Sequence, residues 1–198
     1  MLSTANSKVV WNEYEFNPRW RVNTYSVIKS YDAATKQLWK LSSKSRYAAA
    51  AFSPDGYKVV TVETDQQYKT TLKVIDFFSK KVLNVFPNPD NHFYAMPRFS
   101  DDGKSIVVLK TTRQGKTVTL LELATATSKD LLPMSDENIG HPVLRGNVLY
   151  FNSPLGGIDN IYAYDLSAQK RYQVTVSKYG AFNPVISTDG AWLYYNEQ

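Results

Sequence analysis

Three observations predict an all-β chain built from a repeated four-stranded unit. First, four segments share one pattern: Tyr47-AAAAFSPDG-Tyr57, Phe93-YAMPRFSDDG-Lys104, Ile139-GHPVLRG-Asn147 and Tyr179-GAFNPVISTDG-Ala191. Second, the apolar residues before the turn (Phe52, Phe99, Leu144 and Ile186) lie 47, 45 and 42 residues apart. That is the length of a propeller blade, a four-stranded antiparallel sheet. Third, each turn leads into an apolar, β-branched run, and no segment keeps a 3.6-residue period.

The elements follow in order within each repeat. Strand a ends in the shared turn, where Asp-Gly pairs suit a tight hairpin: glycine accepts positive φ and the Asp side chain can bond the turn backbone. Pro97, Pro142 and Pro184 stand two residues before the last apolar position in three copies, and Ala50 takes that place in the first. Strand b is Tyr57–Thr64, Lys104–Thr111 and Val148–Ser153; strand c is Thr71–Phe77, Thr117–Ala124 and Asn160–Ser167. Strand d is Lys81–Pro87, Lys129–Pro133 and Arg171–Thr175. The run Ala48-Ala49-Ala50-Ala51 has high helix propensity, but its register with the other three copies makes it strand a, where small side chains suit crowding at the axis.

The ends read as truncated copies. Lys8–Glu15, Thr24–Asp32 and Lys36–Ser42 serve as b, c and d of a first blade without a; Ala191–Gln198 is a final strand b. The expected organisation is one propeller segment of about four and a half blades: a partial blade at 8–42, blades at 47–88, 93–133 and 138–175, and a partial blade at 179–198. Seventeen strands result. The two open ends are expected to expose strand edges and to permit self-association.

Composition narrows the functional classes. Of 198 residues, 43% are hydrophobic and 21% charged, a globular balance. The longest apolar run, Ala48–Phe52, is far short of the ~18 residues a spanning helix needs, so no membrane insertion is expected. The first eight residues carry no basic segment followed by an apolar stretch, so no secretion signal is expected there. Cysteine is absent, which excludes disulfides and thiol chemistry. The net charge of +5 is spread along the chain. Its densest stretches, Lys36–Arg46 (Lys36, Lys40, Lys44, Arg46) and Lys80-Lys81, read as solvated strand faces and hairpin tips, and no nucleic-acid partner is expected.

No catalytic constellation is visible. The chain has no G-x-S-x-G elbow. His92 follows the polar loop 87–91, and His141 stands between Gly140 and Pro142 at the start of a strand a. Both read as ordinary hydrogen-bonded histidines. Asp101-Asp102-Gly103 reads as turn chemistry and lacks the further ligands of a calcium loop. Leu155-Gly156-Gly157 is a hairpin tip between strands, so no phosphate or cofactor loop is present and no cofactor is expected. The inner strands carry no acid before the turn, which argues against paired-carboxylate chemistry in the channel. Arg98 is read as their only charged side chain, turned either inward or between blades, with a neighbouring turn Asp as its expected partner. The candidate contacts for a ligand or partner at the channel mouth are Tyr47, Phe93, Tyr94, Arg98, His141, Tyr179 and Phe182.

At Phe52-Ser53-Pro54-Asp55-Gly56, echoed by Phe99-Ser100-Asp101-Asp102-Gly103, the repeat resembles the WD-like repeat of TolB-like β-propellers. It is also similar to the propellers of tricorn-type and dipeptidyl-peptidase-like proteases. The third copy departs from the pattern, since Leu144-Arg145-Gly146-Asn147 lacks the Ser and Asp. Propellers of this family commonly have six or more blades, so the resemblance implies part of a larger propeller. It also implies a periplasmic or extracytoplasmic setting and a non-catalytic module that binds a protein or peptide partner through its loop faces. The alternative it implies is the accessory propeller of a larger peptidase or hydrolase whose active site lies outside these residues.

Overall fold

A computed structural model describes residues 2–20, 22 and 24–198. Eighteen strands and no helix are present among these residues. The first sheet contains β1 (Leu2–Ala5), β2 (Lys8–Phe16), β3 (Thr24–Asp32) and β4 (Gln37–Lys40), in that order. Here the sequence expectation is corrected. The first blade does have an inner strand, because residues 2–5 fold back through the Asn6-Ser7 turn and pair Ala5 with Lys8 through Leu2 with Trp11. Both turn residues take positive φ (46° and 64°), the geometry that a two-residue hairpin requires. No Asp-Gly marks this turn, which is why the strand was not expected.

The second sheet is β5 (Tyr47–Phe52), β6 (Lys58–Thr64), β7 (Thr70–Asp76) and β8 (Val82–Phe86). The third is β9 (Phe93–Phe99), β10 (Ser105–Thr112), β11 (Gly115–Glu122) and β12 (Ser128–Asp130). The fourth is β13 (Gly140–Arg145), β14 (Val148–Ser153), β15 (Asn160–Asp165) and β16 (Lys170–Gln173). β17 (Ala181–Ile186) and β18 (Leu193–Glu197) make a two-stranded sheet. The chain divides into two compact units, Met1–Phe99 and Ser100–Gln198.

In the first unit, Val10, Ile28, Leu41, Tyr47, Ala50, Phe52, Val59, Ile75 and Phe77 form one apolar core. Phe77 is fully buried, with its ring 5.3 Å from Phe52 and 5.6 Å from Trp39 in tilted contacts. Such geometry adds stabilisation beyond the area buried. In the second unit Phe151 and Tyr162 stack at 6.3 Å, and the Arg171 guanidinium lies over both rings. Arg171 also forms a forked pair with Glu137 at 2.8 and 3.0 Å, which fastens the 131–139 connection to its sheet. Three of the four aligned apolar residues, Phe52, Phe99 and Leu144, are buried as their shared register implies; Ile186 is only partly buried.

The Asp-Gly turns share one wiring pattern. Ser53 Oγ donates to Asp55 Oδ1 at 2.5 Å and accepts the Lys58 amide at 2.9 Å, while the Tyr57 amide reaches Asp55 at 3.0 Å. The same three bonds recur at Ser100, Asp102, Lys104 and Ser105, and at Ser187, Asp189, Ala191 and Trp192. Gly56, Gly103 and Gly190 stand at φ 71°, 67° and 76°, as the hairpin requires.

The strand a prolines mark a second recurring device. The residue before each, Met96, His141 and Asn183, takes φ of 52°, 51° and 55°, uncommon for a non-glycine residue. Pairing slips at that point in β13 and β17, as a bulge requires.

Candidate functional site

In the first unit, an open groove of about 700 Å³ runs between the β2–β3 and β6–β7 hairpins and over the connection from β4 to β5. Tyr14, Tyr25, Tyr47, Lys44, Arg46 and Glu63 contribute its chemistry, with Val22, Thr24, Ser26, Ser45, Thr64, Asp65 and Gln66 completing the walls.

The floor is fixed by hydrogen bonds. The Ser26 amide donates to the Ser45 carbonyl at 2.9 Å, Ser45 Oγ donates back to the Ser26 carbonyl at 2.8 Å, and Ser26 Oγ donates to the Tyr47 carbonyl. Ser42 and Ser45 share a hydroxyl contact at 2.8 Å, which holds Lys44 between them in a left-handed conformation, φ 51°. The Thr64 amide donates to the Arg46 carbonyl at 3.1 Å and ties the floor to β6. Each wall has its own cap. Asn17 Oδ1 accepts the Arg19 and Trp20 amides, and Asn17 Nδ2 donates to the Tyr25 hydroxyl at 3.1 Å. Asp65 Oδ1 accepts the Gln67 and Lys69 amides, both at 2.8 Å. Short polar side chains that bond nearby backbone are what turn segments select for.

The charges are distributed unevenly. Glu13 pairs with Lys29 at 2.8 Å and Glu15 with Lys40 at 2.5 Å. The bond from Lys29 is the main cause that lowers the Glu13 carboxyl, and the bond from Lys40 does the same for Glu15. Glu63 pairs with Lys73. Lys44 and Arg46 are exposed and form no ion pair among the described residues. Tyr47 is 8% exposed; burial, with the nearby Glu63 charge second, raises its hydroxyl above the usual range, so it remains a donor.

Of the residues expected at a channel mouth, the first unit holds Tyr47, Phe93, Tyr94 and Arg98. Tyr47 lines the groove from its edge, Phe93 is exposed at the start of β9, and Tyr94 is buried in that strand. Arg98 does not have the turn Asp expected as its partner. Among the described residues it forms no ion pair, its Nε is buried without a hydrogen bond, and desolvation lowers its pKa. Nor is it the only charged inner-strand residue, because β13 extends to Arg145.

The second unit holds His141, Tyr179 and Phe182. His141 Nδ1 lies 2.9 Å from Asn152 Oδ1, and Asn152 Nδ2 donates to Asp159 at 3.0 Å. The Phe182 ring lies against Gly180, where a Cβ would approach it to 2.6 Å, and Tyr179 is exposed beside Lys178. Tyr14, Tyr25, Lys44, Arg46 and Glu63 were not singled out as a site. The sequence signal was the basic stretch ending at Arg46, read as solvated surface. Among the described residues, no cluster of His, Asp and Glu has the arrangement of a metal site.

No protein-family model matches the chain, and no curated protein matches it. Solved structures do. TolB from Acinetobacter baumannii superposes with a TM-score of 0.73 at 20% identity over 97% of this chain. Puromycin hydrolase gives 0.68 at 13% identity over 91% of this chain and 31% of its own. An oligogalacturonate lyase from Vibrio parahaemolyticus gives 0.71 at 10% identity over 99% of this chain and 61% of its own. The chain spans about half the length of the first, covering 47% of it. Their common architecture is the one the repeat predicts: the chain has the β-propeller fold of TolB-like proteins, built from four-stranded antiparallel blades.

Proposed function

We propose that the chain is a non-catalytic propeller module that binds a protein or peptide partner through its loop-bearing faces. The observation that carries this reading is the groove: a concave site whose walls and floor are held by hydrogen bonds before any ligand arrives. Preorganisation of this kind lowers the ordering cost of association. The chemistry around it suits recognition, with three tyrosines, two cations and the Lys73-paired Glu63 in its lining. His141 is engaged by Asn152, and His92 lies 3.6 Å from the exposed Asp90. The likeness to TolB supports the same reading.

A second reading makes the chain the accessory propeller of a larger peptidase or hydrolase. It is favoured by the likeness to puromycin hydrolase, of which this chain covers 31%. Incubation of the purified chain with fluorogenic aminoacyl and peptidyl substrates, and mass analysis of bound peptides, tests the non-catalytic claim. Saturable binding with peptide masses unchanged is expected. Turnover abolished by His141→Ala would overturn it.

A further inference from the structure

The groove has a charge imbalance that selects its ligand. The one glutamate that lines it, Glu63, is matched by Lys73. Asp65 also lines the groove; its Oδ1 accepts two backbone amides of its own hairpin, and it forms no ion pair among the described residues, so the lining keeps two unmatched cations against one unmatched carboxylate. Lys44 and Arg46 remain on the floor with no anionic partner among the described residues. Their backbones are pinned on both sides, by the Ser42–Ser45 contact and by the Thr64–Arg46 bond. Tyr47 adds a protonated hydroxyl, and Tyr14 adds an exposed ring 70% accessible. Two cations on a held backbone, spaced i, i+2 and flanked by aromatic rings, match an extended chain that carries a carboxylate. A guanidinium is suited to a bidentate carboxylate bond and an ammonium to a point contact.

We propose that this groove binds an acidic peptide segment, with Arg46 and Lys44 holding its carboxylate and Tyr14 and Tyr47 packing beside it. The proposal rests on the binding-module reading and adds the place and the chemistry.

An array of eight-residue peptides supplies the probe, each sequence made with Asp or Glu, with Asn or Gln, and with Lys at the same positions. The strongest acidic peptide is then titrated by fluorescence polarisation. The wild-type chain is expected to prefer the acidic form over the amide form by about tenfold or more, with affinity falling as salt rises. The double variant Lys44→Glu, Arg46→Glu should lose that preference and favour the Lys form. Both side chains are exposed and unpaired, so the variant should keep the wild-type circular dichroism and melting temperature. Equal binding of acidic peptides by wild type and variant would overturn the groove assignment and leave the binding-module reading standing. Binding without preference for acid would overturn the ligand class alone. A wild-type chain that retains no peptide would overturn both.

Discussion

The turn at Ser53–Gly56 and the turn at Leu144–Asn147 hold equivalent places between strands a and b but are stabilised in different ways. The first closes mainly on itself, with Ser53, Asp55 and the following amides satisfying one another locally, and takes one bond from outside, Asn6 Nδ2 to the Asp55 carbonyl at 2.8 Å. The second has neither Ser nor Asp and draws its contacts from neighbouring turns of its own unit. The Gly146 amide donates to Asp101 at 3.3 Å, the Arg145 guanidinium lies 3.7 Å from the same carboxylate, and Arg145 also donates to the Thr188 carbonyl. Asn147 in turn bonds Asp165 and Ser167. A repeat can thus lose its motif and keep its turn, provided adjacent repeats supply the missing polar atoms. The self-wired turns should respond to local substitutions, and the borrowed turn to distant ones.

The largest contrast should lie beneath the turns. Phe52→Ala removes a buried ring from the core around Phe77 and should cost about 3–5 kcal/mol, whereas the partly buried Ile186 should cost less, about 1–2 kcal/mol when truncated to Ala. Urea titration of the two variants measures this; equal losses would show that the register does not set burial. Next come the hydroxyls. Ser53→Ala and Ser100→Ala each leave amides without their partner at buried sites, a loss of about 1–3 kcal/mol; Ser187→Ala, at a half-buried residue, should stay below ~1 kcal/mol. Smaller again is Asp101→Ala, which should weaken the Leu144–Asn147 turn by up to ~1 kcal/mol and leave the Asp102-Gly103 turn intact. Amide exchange at Gly146 and Gly103 separates the two effects.

Acid should expose the same asymmetry. The Asp55, Asp102 and Asp189 carboxyls are each held below the usual range, first by the bond from the turn Ser and then by a backbone amide. A depressed folded-state pKa contributes stability that is fully present above the unfolded value near ~3.9 and is lost as pH falls through the folded value. Urea midpoints between pH 2 and 6 should therefore fall at the acid end, and Ser53→Ala with Ser100→Ala should flatten that fall.

Most of the fold was legible because its signals are short-range and repeated. Asp-Gly fixes a hairpin by local backbone chemistry, and four copies in register fix the sheet count. What escaped was less local. β1 leads into a turn of Asn6 and Ser7 that supplies positive φ without glycine, so nothing in the repeated turn motif points to it. Arg98 was expected to meet a neighbouring turn Asp, and the structure leaves its Nε buried without a hydrogen bond. The groove was hidden for a different reason. Lys44 and Arg46 look like any basic surface run, and their significance depends on Lys73 having already engaged Glu63, a question of strand register between β6 and β7. Tyr47 alone was anticipated as a contact, from its position at the start of strand a.

Hydrogen exchange of the whole chain, with and without the preferred acidic array peptide, tests the central claim most directly, because it locates binding without assuming the site. The account predicts slowed exchange confined to the groove segments, Tyr14, 24–26, 44–48 and 63–66, with the peptide recovered intact. Protection centred elsewhere, or a cleaved peptide, would contradict it.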